Sequence, residues 1–98
     1  MRKIEQQLKA AWQAGQPLYI SNSSVVPDDD GGVSLSLHGN RIAHKDSDGV
    51  VRFTLAGWNT LTTRSRLNNV IGVNVHNLYG SPYLNSEPIN SHTWYVKA

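Results

Sequence analysis

The sequence contains no cysteine. That absence excludes a disulfide framework and a thiolate zinc site, and it suits a reducing cytosol. Charge is also scarce, at 16% of residues against roughly 25% in an average domain. The start Met1-Arg-Lys-Ile-Glu-Gln-Gln is not followed by the apolar stretch a signal peptide needs, and no run approaches membrane-spanning length. A soluble, intracellular protein without a membrane partner is expected.

The 98 residues are enough for a single domain over 1–98, since a domain typically takes roughly 100 to 150 residues. Hydrophobic residues make up 39%, and uncharged polar residues, mainly Ser and Asn, fill the gap left by charge. A domain this small buries only about 60–65% of the surface its unfolded chain exposes, so a bound partner would add to its stability. The net charge of +2 does not diagnose a nucleic-acid partner. Its distribution says more. Asp28, Asp29, Asp30, Asp46 and Asp48 lie in the first half, whereas residues 49 to 86 hold Arg52, Arg64 and Arg66 and no acid.

Ile4, Leu8, Ala11 and Trp12 stand at i, i+4, i+7 and i+8, the stripe of an amphipathic helix over 1–15. Lys3, Glu5, Gln6, Lys9 and Gln13 fall elsewhere around it. Gly15 fits a C-terminal cap and Pro17 blocks continuation. Residues 18–32 read as a short strand and a loop ending in Asp28-Asp29-Asp30-Gly31-Gly32. Farther on, Thr60 caps a helix over 61–71 that Gly72 closes, with Leu67, Val70 and Ile71 as its apolar stripe. Residues 73–97 carry two more strands, 73–79 and 92–97, separated by turn punctuation at Gly80-Ser81-Pro82 and Ser86-Glu87-Pro88.

Two turn signals set a β-meander over 33–56. Gly39-Asn40 and Asp48-Gly49 each suit a two-residue hairpin loop. Counting outward pairs His38 with Arg41, Leu37 with Ile42 and Leu35 with His44. It then pairs Ser47 with Val50, Lys45 with Arg52, His44 with Phe53 and Ile42 with Leu55. One face carries Val33, Leu35, Leu37, Ile42, His44, Val51, Phe53 and Leu55, and it is the expected core face. The other carries Ser34, Ser36, His38, Arg41, Ala43, Lys45, Arg52 and Thr54. The element order implies an α+β fold, an antiparallel β-meander sheet with the N-terminal helix and a second helix packed on one face.

In this register Lys45 and Arg52 stand directly opposite each other, which destabilises a sheet unless something compensates. With Arg41 and His38 they would form a basic face interleaved with hydroxyls able to donate to phosphate oxygens. The plain alternative is a solvated face on which the long side chains splay apart. The helix start is the second candidate: Thr62 and Thr63 hydroxyls with Arg64 and Arg66 beside N–H groups are the ingredients of an anion site, although the Gly-rich phosphate-loop pattern is absent. The alternative there is a hydroxyl-capped helix whose Arg stems cover apolar surface. Trp58, Trp94, Tyr79, Tyr83 and Tyr95 could stack on bases, against the general tendency of aromatics to be core. Trp12 completes the first helix's stripe and belongs in the core.

His38, His44, His76 and His92 lack metal-ligand spacing, and the meander sets His38 and His44 on opposite faces, so no metal or cofactor is expected. His44, between Leu35 and Phe53, reads as a half-buried core histidine. Asp28 to Gly32 has the acids of a calcium loop, but its twelfth position is Gly39 instead of Glu. No Ser or Thr has a base partner in the linear sequence, and no catalytic residue is assigned.

The segments His38-Gly-Asn-Arg-Ile-Ala43 and Leu55-Ala-Gly-Trp-Asn-Thr-Leu-Thr-Thr-Arg-Ser-Arg-Leu-Asn68, with Tyr83-Leu-Asn85 and Trp94, resemble a family of small, mostly uncharacterised accessory proteins of tailed bacteriophages. The resemblance covers about 33–95 and leaves the leading helix outside it. It implies a phage setting and the bacterial host cytoplasm, where such proteins bind nucleic acid or disable host proteins, including CRISPR effectors. It carries no catalytic residues. Two expectations follow. The first is a non-enzymatic module that binds nucleic acid, or another anionic macromolecule, through Arg41, Lys45 and Arg52 on the sheet and Trp58, Thr62, Thr63, Arg64 and Arg66 around the helix start. The second is an inhibitor of a host protein such as a CRISPR or other defence effector. An enzyme ranks last. The last strand, 92–97, could pair across a two-fold axis in a homodimer.

Overall fold

The computed structural model describes residues 2–97. The apolar stripe forms α1, Lys3–Ala14, which ends at a left-handed Gly15. Its inward side is Glu5, Leu8 and Trp12, so one carboxylate shares the buried stripe. The expected short strand forms as β1, Leu18–Ile20. The loop expected to follow it holds a second strand, β2, Ser23–Pro27, because Ser21 takes a positive φ of 55° and lets the chain reverse at once. Next come β3, Val33–Leu37, β4, Asn40–Lys45, and β5, Val51–Phe53. Helix α2, Leu61–Arg66, continues as a π-helical stretch, Leu67–Ile71. Four short strands end the chain: β6, Val75–Leu78, β7, Ser81–Leu84, β8, Glu87–Pro88, and β9, Tyr95–Val96.

The strands form two antiparallel sheets, β1-β2-β3-β4-β5-β9 and β6-β7-β8. Both helical segments pack on one face of the larger sheet, where Leu8, Trp12, Leu67, Val70 and Ile71 meet Val25, Leu35, Ala43 and Phe53. The protein is α+β, as its element order implied. Asn68 fastens the second sheet to the helical layer: its amide donates to Val75 O at 2.8 Å and accepts from Val75 N at 2.7 Å. The closing strand forms one edge of the larger sheet, where Arg52 pairs with Val96 and Phe53 with Tyr95.

Both hairpins differ from the counted register by one residue or more, and the physical causes can be named. The first turn is centred on His38-Gly39, with φ 51° and 79°, because a primed two-residue turn needs positive φ twice and favours Gly at its second position. Leu37 therefore pairs with Asn40 and Ser36 with Arg41. A bulge between Leu35 and Ser36 then brings Leu35 opposite Ala43 and Ser34 opposite His44. The bulge lets adjacent residues Ile42 and Ala43 both be buried. In the second hairpin the loop is Ser47-Asp48-Gly49: Asp46 N donates to Val50 O, and the Asp46 carboxylate accepts from Asp48 N and Val50 N, each at 3.0 Å. His44 consequently pairs with Arg52 and Lys45 with Val51.

A one-residue slip moves every side chain to the other face. His44 therefore leaves the core side for the outer one, and Lys45 moves inward beside α1. The like-charged Lys45–Arg52 pair does not form. Thr54 is buried too, its hydroxyl accepting from Ala56 N.

Strand alternation also segregates charge along the sheet. The β2–β3 turn with Asp28, Asp29 and Asp30 and the β4–β5 loop with Asp46 and Asp48 share one end, where Gly31 and Ser47 are neighbours. The His38-Gly39 turn and the segment leading from β5 into α2 lie at the other.

Candidate functional site

Of the eight residues expected to bind a partner, three share one open cleft at the end of the sheet away from the aspartates. Trp58, Thr62 and Thr63 line it with Leu37, His38, Asn40, Ile42, Leu55 and Thr60, around ≈ 560 Å³. Leu37, Ile42 and Leu55 are buried and supply an apolar floor. Trp58 is 59% exposed, yet its backbone is held firmly. Trp58 N donates to Leu55 O at 2.9 Å, Thr60 N donates to Trp58 O at 2.9 Å, and Gly57 N donates to Ser91 O at 2.8 Å. Ala56 and Gly57 make this tight turn with φ of 54° and 83°. The indole is thus an exposed plane on a fixed backbone.

The threonines divide by role. Thr60 caps α2 by accepting from Thr63 N at 3.2 Å, and the Thr60 and Thr63 hydroxyls bond each other at 2.8 Å. Thr63 is only 1% exposed. Hydrogen-bonding capacity at the rim belongs instead to His38, Asn40 and Thr62, whose side chains bond to nothing else among the described residues. The lining holds no carboxylate, Lys or Arg.

The expected cations are dispersed. Arg66 is buried at 4% exposure: Nη1 donates to Glu5 Oε2 at 2.8 Å and Nε to Ser23 Oγ at 3.1 Å. It cannot serve an anion site at the helix start. Lys45 Nζ donates to Trp12 O at 3.3 Å and lies 5.2 Å from the Trp12 ring centroid. Arg52 pairs with Asp46 at 3.2 Å. Arg64 Nη1 donates to Asn59 Oδ1, and Asn59 Nδ2 to Asn77 Oδ1 at 2.8 Å. Arg41 alone of these five is exposed and bonded to no side chain among the described residues. The continuous basic sheet face does not form, because the register turned Lys45 inward and set Arg52 within reach of Asp46.

The aromatics separate as well. Tyr83 stacks on His76, ring centroids 5.8 Å apart. Tyr95 lies against Phe53 at 6.1 Å, with its hydroxyl accepting from Asn90 N at 2.7 Å. Trp94 and Tyr79 are exposed but do not line the cleft, whereas Trp12 is core.

One constellation is invisible in the linear sequence. Ser34 Oγ lies 3.0 Å from Asp28 Oδ2 and 3.2 Å from His44 Nδ1, and Nδ1 lies 3.1 Å from the same Oδ2. A nucleophilic relay needs the serine on one ring nitrogen and the carboxylate on the other. Here both address Nδ1, and Ser34 is buried, so the cluster braces the β2–β3 turn. Among the described residues no group of three or more His, Cys, Asp or Glu is placed to hold a metal ion. No helix among them is long and apolar enough to cross a membrane.

The fold and the cleft define a small α+β protein with one aromatic-walled, uncharged recess beside a six-stranded sheet. The chain belongs to the family described as Kyanoviridae Gp96 protein, whose model matches residues 1–97, and it is a tailed-phage protein. The match starts at residue 1, so α1 lies within the family's shared region and is not particular to this member. No curated relative and no solved structure matches the chain.

Proposed function

We propose that this phage protein is a non-enzymatic module that binds single-stranded nucleic acid in the host cytoplasm, engaging the strand through the Trp58 cleft instead of a basic sheet face. The observation that carries the reading is the exposed Trp58 indole, carried on a hydrogen-bonded turn, at the end of the sheet away from the aspartates. Single-strand binders combine such stacking planes with nearby positive charge that follows the backbone. Arg41, which pairs with Ser36 and so faces the other side of the hairpin from Asn40, is the exposed cation nearest in the chain to the cleft and supplies that charge outside it.

Fluorescence anisotropy with a labelled single-stranded DNA and RNA tests the reading. Binding at about 50 mM salt is expected, with a shallow salt dependence of about −0.7 in log K per phosphate contacted. Trp58→Ala weakens it by about 1–3 kcal/mol. Absence of binding to either strand at that salt overturns the proposal.

A second reading, an inhibitor docking on a host protein such as a CRISPR or other defence effector, is favoured by Tyr79. It is 98% exposed at a φ of 51°, a backbone conformation bulky residues rarely adopt. Capture from a nuclease-treated host lysate with the native chain and with Tyr79→Ser separates the readings. A partner retained by the first and lost by the second supports inhibition, and identical profiles refute it.

A further inference from the structure

The geometry points to a cleft that takes one unstacked nucleobase, adenine in preference to the others, with its face on Trp58 and its polar edge toward Asn40, while the sugar and phosphate stay outside near Arg41. This rests on the single-strand reading above and names what the cleft recognises.

The volume of ≈ 560 Å³ is that of a small-molecule site, which typically spans roughly 300–1,000 Å³. The lining identifies the kind of small group. A phosphate inside would find no Arg or Lys among the lining residues to neutralise its charge. An aliphatic side chain would need only the floor of Leu37, Ile42 and Leu55, and would leave His38, Asn40 and Thr62 unsatisfied. A flat, neutral heterocycle uses every part: an apolar floor, an aromatic wall and polar groups facing its edge.

Asn40 narrows the choice further. Its amide presents one donor and one acceptor side by side, which match adenine N7 and N6 in a bidentate pair. Because Asn40 pairs with Leu37 directly after the His38-Gly39 turn, its Cα position is fixed by the hairpin ladder. A base inside a duplex cannot present its face to Trp58, so the preference applies to unpaired strands.

The test uses the full chain and three labelled DNAs: an eight-residue thymidine strand, the same strand with one central adenine, and the latter paired with its complement. A single adenine is expected to tighten binding roughly 5- to 100-fold, with a shift of the Trp58 indole N–H resonance, and pairing should abolish the gain. Asn40→Asp, which keeps the shape but loses the amide donor, brings the ratio of adenine-strand to thymidine-strand affinity to about one, and the ratio is the readout because the added charge weakens both strands alike. Its melting temperature reports whether the hairpin persists, and if the variant unfolds, Thr62→Val with the native chain's base ranking decides. Equal affinity for the thymidine and adenine strands overturns the base preference while leaving the single-strand reading in place. Failure of every strand to bind overturns both. Inorganic phosphate shifting the same indole resonance as strongly as the adenine strand makes the cleft an anion site and overturns the inference alone.

Discussion

Glu5 and Arg66, separated by 61 positions in the chain, meet at 2.8 Å with both side chains buried. The pair ties three parts of the fold together. Glu5 Oε2 also accepts from Ser65 Oγ at 2.6 Å, and Oε1 accepts from Asn69 Nδ2 at 3.0 Å. The Arg66 guanidinium reaches on to Ser23 and Asn22 beside the β1–β2 turn. No buried side-chain polar atom is left without a partner among the described residues. This is the condition under which a buried ion pair is tolerated.

Removing one partner strands the other charge in the interior. Glu5→Gln or Arg66→Ala is expected to cost about 3–5 kcal/mol of unfolding free energy, and the paired replacement Glu5→Leu with Arg66→Met to recover most of it. Urea unfolding of Glu5→Leu, Arg66→Met and the double measures the coupling. Additive losses would show that the two groups act independently.

Acid should destabilise the protein. Burial pushes the Glu5 carboxyl up, but hydrogen bonds from Ser65 and Arg66 and the Arg66 charge more than offset it and hold the group below 4.5. The Val50 N–H, against a smaller opposing effect of desolvation and aided by Arg52 and Asp48 N–H, holds Asp46 below 3.8. Carboxyls lowered in the folded state bind fewer protons there than in the unfolded chain. Their stabilisation is complete above the ordinary carboxyl range and is lost as pH falls through the lower folded values. Melting temperatures recorded from about pH 7 to pH 3 should fall below about pH 4.5. The fall should be shallower in Glu5→Gln, and a midpoint that rises on acidification would contradict the assignment.

Gly57 holds the Trp58 plane in place. Its φ is +83°, and a Cβ added there would lie 2.8 Å from His92 Cε1. Gly57→Ala therefore meets a conformational cost of about 1–2 kcal/mol together with displacement of His92. The variant should fold with reduced stability and bind single strands as weakly as Trp58→Ala, because the indole is no longer held at the mouth of the cleft. Circular dichroism melts and anisotropy, measured on one preparation, decide this. Native affinity in a destabilised Gly57→Ala would show that the turn does not set the indole.

Much of the helical layer was legible in the sequence. The stripe of Leu8 and Trp12, the cap at Thr60, the stop at Gly72 and the buried Leu67, Val70 and Ile71 all depend on local spacing, and local spacing is what a sequence displays. Glu5 was misplaced on the solvent side although it stands three positions before Leu8 and seven before Trp12, on the buried stripe itself. Nothing nearby discloses its partner at Arg66. The sheet register was lost for a different reason. Asp46 recruits two backbone N–H groups and lengthens one loop, the His38-Gly39 turn displaces the other, and a bulge then corrects part of the shift. Pro82 and Pro88 read as turn punctuation, yet both lie in strands of the small second sheet. As for the cleft, Trp58, Thr62 and Thr63 are close in sequence and were found together. Leu37, His38, Asn40 and Ile42 reach it only through the β3–β4 hairpin.

The register makes the two neighbouring cations Arg41 and Lys45 opposite in role, and a pair of substitutions should separate them. Arg41 is exposed and bonded to no side chain among the described residues, so Arg41→Ala should leave stability within about 0.5 kcal/mol. It should weaken all single strands alike and reduce the salt slope by about 0.7, the contribution of one phosphate. Lys45 donates to Trp12 O and lies over the Trp12 ring, so Lys45→Ala should lower stability by about 0.5–2 kcal/mol. Its salt slope should stay unchanged, because the ammonium is turned toward α1 and away from the strand. If Lys45→Ala instead lowers the slope as much as Arg41→Ala does, the strand runs along the sheet and not through the cleft.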